Sequence, residues 1–322
     1  MVRCALTLLA VLASRAAARE FTICTTVQNE ALYMPEWIEY YRLHGVTRIV
    51  IGDHRSTDGL RRLATFYATQ PGNLEVLVLP NLGEQTPWLN KCARRFKHSD
   101  WIAFLDNDEY VWSPRHGTIL NYLGRLPRDV TQVHAYDLRF GVGDWKRRPF
   151  RLAVTPNALV VTSGTFRLVT EEHTRRAPSL RLGEHEAYNA LPPIDACNAT
   201  RMREVYGSRA TGGDLCSFAF NDTERFGKSF VRGYAVGFLG HPHYAQVYKG
   251  ISHRETDLDE LRINHYWARS RGDARRKSRQ WHKRDVIEWA EHARPLQHAV
   301  EDRGMFDRHG SALRAGLRAI GL

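Results

Sequence analysis

The chain has no GxGxxG after its first apolar run, no GxxxxGK[ST] and no CxxC pair. These absences argue against a dinucleotide-binding fold, a P-loop and a structural zinc site. Long hydrophobic runs are also missing. The longest largely apolar stretch, Cys4–Ala13, is ten residues, and a bilayer crossing needs about 20. Acidic residues are the minority, 35 against 46 Lys and Arg, which gives a formal charge of +11. That balance suits anionic partners: a nucleotide phosphate, an acidic glycan, a membrane face or nucleic acid. With 43% hydrophobic and 25% charged residues in 322, the composition is that of a folded globular protein, and the length suffices for one large α/β domain or two of medium size.

The first residues read as a targeting segment. Met1-Val2-Arg3 is a short basic start, Cys4–Ala13 the apolar run and Ala16-Ala17-Ala18 a small-residue cleavage site, the pattern of a secretory signal. Residues 1–18 are expected to be a signal peptide or a short signal anchor, with the body in the secretory lumen (Golgi or ER) or outside the cell. Arg3 and Arg15 supply only two of the positive charges, so the basic character belongs to the folded part. Beyond the segment stand Cys24, Cys92, Cys197 and Cys216. A bridge between Cys197 and Cys216 is possible in an oxidising lumen, whereas Cys24, in a β-like run, and Cys92, in a helical pattern, are expected as buried small hydrophobes. Asn198-Ala199-Thr200 and Asn221-Asp222-Thr223 are glycosylation acceptors in that compartment.

From residue 21 a strand–helix alternation is legible. Phe21–Val27 is β-branched and apolar; Pro35 then opens a helical pattern with Met34, Trp37, Ile38 and Tyr41 on one side, closed by Gly45. Arg48–Ile51 is a second strand, followed by the turn Ser56–Gly59 and a helix through Leu60, Leu63, Ala64 and Tyr67. Leu74–Leu79, a helix through Trp88, Leu89, Cys92 and Phe96, and Trp101–Leu105 continue the series. Strands alternating with helices predict a mostly parallel sheet covered on both faces. Ligands of such sheets bind beyond the carboxyl ends of the strands. There the sequence places Gln28-Asn29-Glu30, Asp53 with Ser56 and Asp58, and Asp106-Asn107-Asp108-Glu109.

The last group carries the most chemistry. Acids crowded after a buried strand repel one another unless a cation sits among them. Asp106 and Asp108, two apart in extended chain, project to one face and can share one ion. Hard oxygen ligands completed by diphosphate oxygens and water suit magnesium or manganese. A loop whose acids cap the next segment or pair with arginine is the plainer reading. A glycosidase also needs paired carboxylates, about 5–9.5 Å apart, but it does not need polar groups at the other strand ends, where Asp53 is placed to accept a hydrogen bond from a base or ribose.

Val27-Gln28-Asn29-Glu30, Trp37–Tyr41, Gly45-Val46, Asp53 with Ser56-Thr57-Asp58, Asn90-Lys91-Cys92 and Trp101–Tyr110, followed by Arg139–Gly141, Lys228–Arg232 and Asn264–Ser270, together resemble glycosyltransferase family 92 and its family-2-like relatives. The resemblance runs from about residue 21 to 280. It implies an α/β GT-A fold with a Rossmann-like sheet, and inverting transfer of a sugar, galactose as first candidate, from a UDP-sugar donor to a glycan hydroxyl, with Mn2+ (or Mg2+). The donor-side candidates are Thr25, Asn29, Glu30, Asp53, Ser56, Asn90, Asp106, Asn107 and Lys228. The metal candidates are Asp106 and Asp108, with a histidine completing the shell by resemblance: His241, His243 or His265. Inversion requires a general base, and the residues leave it open among Asp144, in a glycine-containing loop beside Trp145, Glu184, Glu186 and Asp214. The competing expectation is a carbohydrate-binding or catalytically silent relative.

The expected organisation is a GT-A domain over 19–270, with a nucleotide-sugar half at 19–135 and an acceptor half at 136–270, then a basic helical C-terminal extension at 271–322. In the stretch from Arg269 to Arg284, Arg and Lys residues stand among Trp267 and Trp281. This reads either as a solvated helix or as a surface for anionic lipid heads or acidic glycan. Nucleic acid is not expected in a lumenal compartment. The tail is expected to be helical, with breaks near Pro295 and Gly304.

Overall fold

The computed structural model describes residues 20–140, 145, 147–176, 227–241, 244–247, 252–266, 269–270, 272–273, 275–277 and 300–322. Strand β1 (Phe21–Val27) is buried on both faces for nearly its whole length, as a central strand of a parallel sheet must be. β2 (Arg48–Asp53) lies parallel on one side of it and β4 (Trp101–Phe104) parallel on the other. β3 (Glu75–Pro80) pairs parallel with β2 and closes the edge, which explains its exposed ends. Helices α1 (Met34–Leu43), α2 (Leu60–Ala68) and α3 (Gln85–Arg95) provide the crossovers. The α/β architecture expected of a GT-A fold is therefore present, with the first elements close to their predicted bounds. At Gly45, φ is +84° and an added Cβ would lie 2.7 Å from the Leu120 side chain on α4 (Ile119–Leu123), so glycine is required there both by conformation and by space.

Beyond β4 the sheet mixes directions, in the order β3-β2-β1-β4-β10-β6-β14-β5. β10 (Gly227–Val231) runs antiparallel between β4 and β6 (Val130–Arg139). β14 (Arg262–His265) runs parallel to β6 and antiparallel to β5 (Glu109–Trp112). β13 (Ser252–Glu255) takes residues 130–134 of β6 and β14 takes 136–139, so the two lie end to end along one edge. Strands from the second half of the chain thus enter the sheet begun by the first. Residues 105–108 join β4 to β5, four positions away in the sheet. Neighbouring strands are about 4.8 Å apart and a chain spans at most about 3.6 Å per residue, so the sheet must curl for this link to reach.

Helix α1 is buried all round from Met34 to Tyr41 because it lies between the sheet and the C-terminal helix α6 (Gly304–Ala319). Its polar tips close the free edge of β5. Trp37 Nε1 and Tyr41 Oη donate to the Glu109 carbonyl at 2.9 and 2.8 Å, Tyr40 Oη donates to the Val111 carbonyl at 2.9 Å, and Tyr41 Oη accepts from Val111 N at 3.0 Å. An edge strand is thereby satisfied by side chains in place of another strand. On the same helix the buried Glu36 carboxylate accepts from Val169 N, Thr170 N and Thr170 Oγ1 at 2.8, 3.0 and 2.8 Å and caps α5 (Val169–Glu172). Two hairpins, β7 (Phe150–Val154) with β8 (Leu159–Gly164) and β11 (Val236–His241) with β12 (Tyr244–Val247), and a short pair, β9 (Arg175–Arg176) with β15 (Val300–Glu301), lie outside the main sheet. Helix α6 begins at Gly304, one of the two positions near which the tail was expected to break; Pro295 lies outside the described residues. Among the described residues no helix is long and apolar enough to cross a membrane.

One expectation is overturned in the core. Cys24 and Cys92 are not free hydrophobes but a disulfide, with Cα atoms 6.3 Å apart across 68 residues of sequence. Cys24 sits on the face of β1 that packs against α3, and Cys92 on the face of α3 that returns to it, both within one apolar cluster with Val50, Leu89 and Ile102. Cys197 and Cys216 lie outside the described residues, as do the two glycosylation acceptors.

Two outcomes follow from this packing. A 68-residue loop closed by the Cys24–Cys92 bridge constrains the unfolded chain by about 4 kcal/mol on the chain-entropy relation. Urea unfolding with and without a reductant should show a loss of that order. The second concerns the α1–α6 contact, where the rings of His44 and His309 stand 4.7 Å apart. Burial first, then neighbouring positive charge, holds both imidazoles below the ordinary value of 6.5, so the folded state favours them neutral. Their contribution is complete above about pH 6.5 and is lost as pH falls toward the folded values. The Tm of the native protein should therefore drop relative to His309→Phe between pH 7 and 5.

Candidate active site

The loops after β1 and β2 are built from their own polar side chains. Asn29, at φ +57°, donates its backbone N–H to Ser56 Oγ at 3.0 Å, while its Oδ1 accepts from Thr57 N at 2.8 Å. Asp58 Oδ2 accepts from Ala31 N at 2.8 Å. Asp53 Oδ1 accepts from Ser56 N and Oδ2 from Arg61 Nε, both at 2.7 Å. Burial pushes the Asp53 carboxyl up, but these partners outweigh it and hold the group below its ordinary value. The candidates Asn29, Asp53 and Ser56 are thus brought together at the expected sheet edge, where they interlock two loops. Asn90 lies elsewhere: its amide exchanges two hydrogen bonds of 2.9 Å with the Leu239 backbone and ties α3 to β11. Thr25 is buried inside β1, and its Oγ1 has no hydrogen-bond partner among the described residues.

The acid group lies in the turn between β4 and β5. Because the chain turns at Asn107 and Asp108, the extended geometry that would put Asp106 and Asp108 on one face does not form, and the two carboxylates take different partners. Asp106 Oδ1 accepts from Gln85 Nε2 at 2.9 Å and Oδ2 from Lys228 Nζ at 2.7 Å. Lys228, on β10 and 1% exposed, also stands 3.5 Å from Glu109 Oε1. Glu109 Oε2 accepts from Asp106 N at 2.8 Å. Burial, with the Asp106 charge adding to it and Lys228 opposing, raises the Glu109 carboxyl to about 8.

Asp108 meets a second set. Its Oδ2 accepts from Lys277 Nζ at 2.5 Å, and its Oδ1 stands 3.5 Å from His265 Nε2. His265 Nδ1 donates to Asp137 Oδ2 on β6 at 3.0 Å. Burial opposes the charged form of both, yet Lys277 and His265 hold Asp108 well below the carboxylate range, and the two carboxylates lift His265 to about 9. Glu30 accepts from Arg269 Nη2 at 2.5 Å and from Arg276. The Arg269 guanidinium is fully buried over the Tyr33 ring, 3.9 Å from its centroid, and reaches the Asn107 carbonyl at 3.4 Å. Asp273 anchors the same segment: it accepts from Arg148 Nε at 2.7 Å, Tyr33 Oη at 2.5 Å and Ser270 Oγ at 2.7 Å, and these partners overcome burial to hold its carboxyl at about 2.

The expectation of a solvated cationic stretch after Arg269 fails for this part: Arg269 and Lys277 are buried in the acid cluster and Arg276 is partly so, while Arg275 is exposed. Of the three histidine candidates, His265 is the one whose side chain is described. His241 falls on β11 with its side chain outside the described set, and His243, Asp144, Glu184, Glu186 and Asp214 lie outside it altogether. Asp137, Arg269, Arg276 and Lys277 join the cluster without a sequence signal of their own. A run of basic residues gives no hint of which ones turn inward, and Asp137 sits mid-strand with no motif around it.

Among the described residues no three His, Cys, Asp or Glu side chains are gathered tightly enough to hold a metal ion. The donor chemistry nonetheless fits one. Asp108 and His265 converge, the far ring nitrogen of His265 is held by a carboxylate as in metal-ligating histidines, and Asp106 supplies a partly exposed oxygen on the same turn. The Lys228 ammonium is what permits the buried Glu109 to stand beside the partly exposed Asp106. Lys228→Met, which leaves them unpaired, should cost about 3–5 kcal/mol, measurable by urea denaturation.

Residues 19–145 match the family model described as glycosyltransferase family 92. The chain is 33% identical over 98 residues to a family 92 protein of Arabidopsis thaliana, covering 30% of this chain and 17% of that one. It is 30% identical over 110 residues to one of Oryza sativa subsp. japonica, covering 34% and 19%. The matched stretch therefore spans less than one fifth of these relatives. Among solved structures, it is similar to a Pyrobaculum calidifontis mannosyltransferase in complex with GDP-Man and Mn2+, with TM-score 0.32, 19% identity and coverage of 38% and 36%. It is also similar to glucosyl-3-phosphoglycerate synthase of Mycobacterium tuberculosis in complex with Mn2+, UDP and glucosyl-3-phosphoglycerate, with TM-score 0.31, 12% identity and coverage of 68% and 59%. The stretch that carries β1 to β4 and the acidic turn, residues 19–145, is thus the part of the chain that is similar to glycosyltransferase family 92.

Proposed function

We propose that this chain is a metal-dependent, inverting glycosyltransferase that moves a hexose, galactose as first candidate, from a UDP-sugar to a glycan hydroxyl in the secretory lumen. The observation that carries this reading is the Asp106–Asp108 turn at the carboxyl edge of β4, inside the family-matched stretch, with His265 held by Asp137 against Asp108. Asp108 and His265, which converge, are the residues that would hold Mn2+ or Mg2+, the His265 Nε2 proton being released as the ion binds, with Asp106 on the same turn as the third candidate. When bound there, the ion would offset the negative charge that builds on the departing diphosphate. The chain's own residues do the rest. Asp137 fixes the His265 ring, Lys228 and Gln85 fix the Asp106 carboxylate, and the interlocked loops of Asn29, Asp53 and Ser56 shape the edge on which the nucleotide would lie. The general base is sought among Asp144, Glu184, Glu186 and Asp214, and His241 or His243 remain alternative ligands. The Cys24–Cys92 disulfide supports an oxidising compartment.

A second reading, a carbohydrate-binding relative without transferase activity, is favoured by one feature: the Lys277 ammonium already sits on Asp108. Turnover separates the two. The enzyme should release UDP slowly from at least one UDP-sugar, with stimulation by Mn2+ and loss in EDTA. Asp106→Asn removes the charge that faces the buried Lys228 ammonium and so lowers stability as well; assayed well below its melting transition, where the variant is folded, it should still lower that release at least a hundredfold. Silence across a donor panel would leave the binding reading standing.

A further inference from the structure

Both oxygens of Asp108 are engaged: Oδ2 by Lys277 Nζ at 2.5 Å, Oδ1 by the His265 ring at 3.5 Å. The side chains of Asp108 and Lys277 are each 5% exposed, so water does little to screen them. The stretch that delivers Lys277 is fixed upstream. Arg269 and Arg276 are held by Glu30, and Asp273 is held by Tyr33, Arg148 and Ser270. Lys277 comes one residue after that anchored set, with a flexible four-carbon stem ending in a compact charge. A divalent ion binds a carboxylate oxygen at about 2.0–2.2 Å. At that distance it would share Oδ2 with an ammonium already in contact, and two cations in a buried site repel strongly. One must leave the oxygen. A nucleoside diphosphate arriving with the metal brings oxygens that an ammonium at this position can take instead.

Resting on the transferase reading above, we propose that Lys277 is a tethered counter-ion of the donor site: it neutralises Asp108 while the site holds no ligand, gives way to the divalent cation, and then pairs with the donor's diphosphate. Metal alone must displace a built-in cation and receives nothing in exchange. Metal with diphosphate offers the displaced ammonium a new partner. The two ligands therefore bind as a pair, and the coupling resides in one side chain.

The test is direct binding. Free Mn2+ is followed by electron paramagnetic resonance on the full chain, without and with UDP, for the native protein, Lys277→Met and Lys277→Arg. UDP should tighten Mn2+ binding to the native protein at least tenfold. Lys277→Met should bind Mn2+ alone at least tenfold more tightly than the native protein and, at saturating Mn2+, bind UDP at least tenfold more weakly. Lys277→Arg should restore the native pattern. If Lys277→Met does not fold, Lys277→Gln, which keeps a donor for Asp108 without the charge, is held to the same shifts. Unchanged or weaker Mn2+ binding by the uncharged variant, unchanged UDP binding, or no Mn2+ binding by any variant overturns the proposal. These outcomes are distinct from failure of the transferase reading. Shifts of the expected sign with no donor turned over would retain the counter-ion and remove the activity, whereas turnover with unshifted Mn2+ affinity would do the reverse.

Discussion

Glu30, Asp106, Asp108 and Glu109 are gathered at one edge of the sheet because Lys228, Arg269, Arg276 and Lys277 are gathered with them. Removing such carboxylates from water costs several kcal/mol each unless an opposite charge and hydrogen bonds compensate. All four cations come from beyond residue 227, more than a hundred residues after the acids. The carboxyl edge of the first four strands therefore cannot reach its observed form until the later part of the chain has docked. β10, which carries Lys228, is also the strand inserted between β4 and β6, so one element completes the sheet and neutralises the turn.

The same dependence explains the curl of the sheet. The link from β4 to β5 is short, and β5 lies at the far edge of the strand order. What holds β5 there is β14 on one side and the tips of Trp37, Tyr40 and Tyr41 on the other. His265, the last residue of β14, pairs in register with Glu109, and Tyr266 N then donates to the Asp108 carbonyl at 2.8 Å. The position of Asp108 is thus set by backbone pairing, and its side chain points to His265 as a consequence of strand register. A change of one residue in that register would turn the imidazole to the opposite face.

The sequence made the βα units legible because each carries a local signature: an apolar run for a strand buried on both faces, a helical period, a glycine or proline at the joint. Phe21–Val27, Leu60–Ala68 and Trp101–Phe104 are of this kind. The acidic turn was legible as a candidate site for the same reason, since its charges follow a buried strand. Its geometry was not. Residues two apart share a face only in extended chain, and the turn at Asn107–Asp108 sends the two carboxylates to Lys228 and Lys277 instead. Tertiary pairings were equally invisible. Nothing near Cys24 or Cys92 marks them as partners, and the inward-turned Arg269 and Lys277 read, within their own segment, like the outward ones beside them.

The His265 arrangement bears on whether this cluster serves stability or chemistry. An imidazolium buried between Asp108 and Asp137 is an expensive way to fill a sheet edge, because apolar residues of similar volume would pack there without desolvating three ionisable groups. Stability alone gives no reason to keep them. Lys228 with Asp106 and Glu109 is a comparable case, and there the ammonium donates to one carboxylate and faces the other. At His265 the geometry is more specific: one ring nitrogen is committed to Asp137 and the other is aimed at the very carboxylate that Lys277 occupies. A ring so oriented, on a strand whose register fixes it, faces whatever stands at Asp108. That holds whether the cation there is the chain's own lysine or one brought by a ligand.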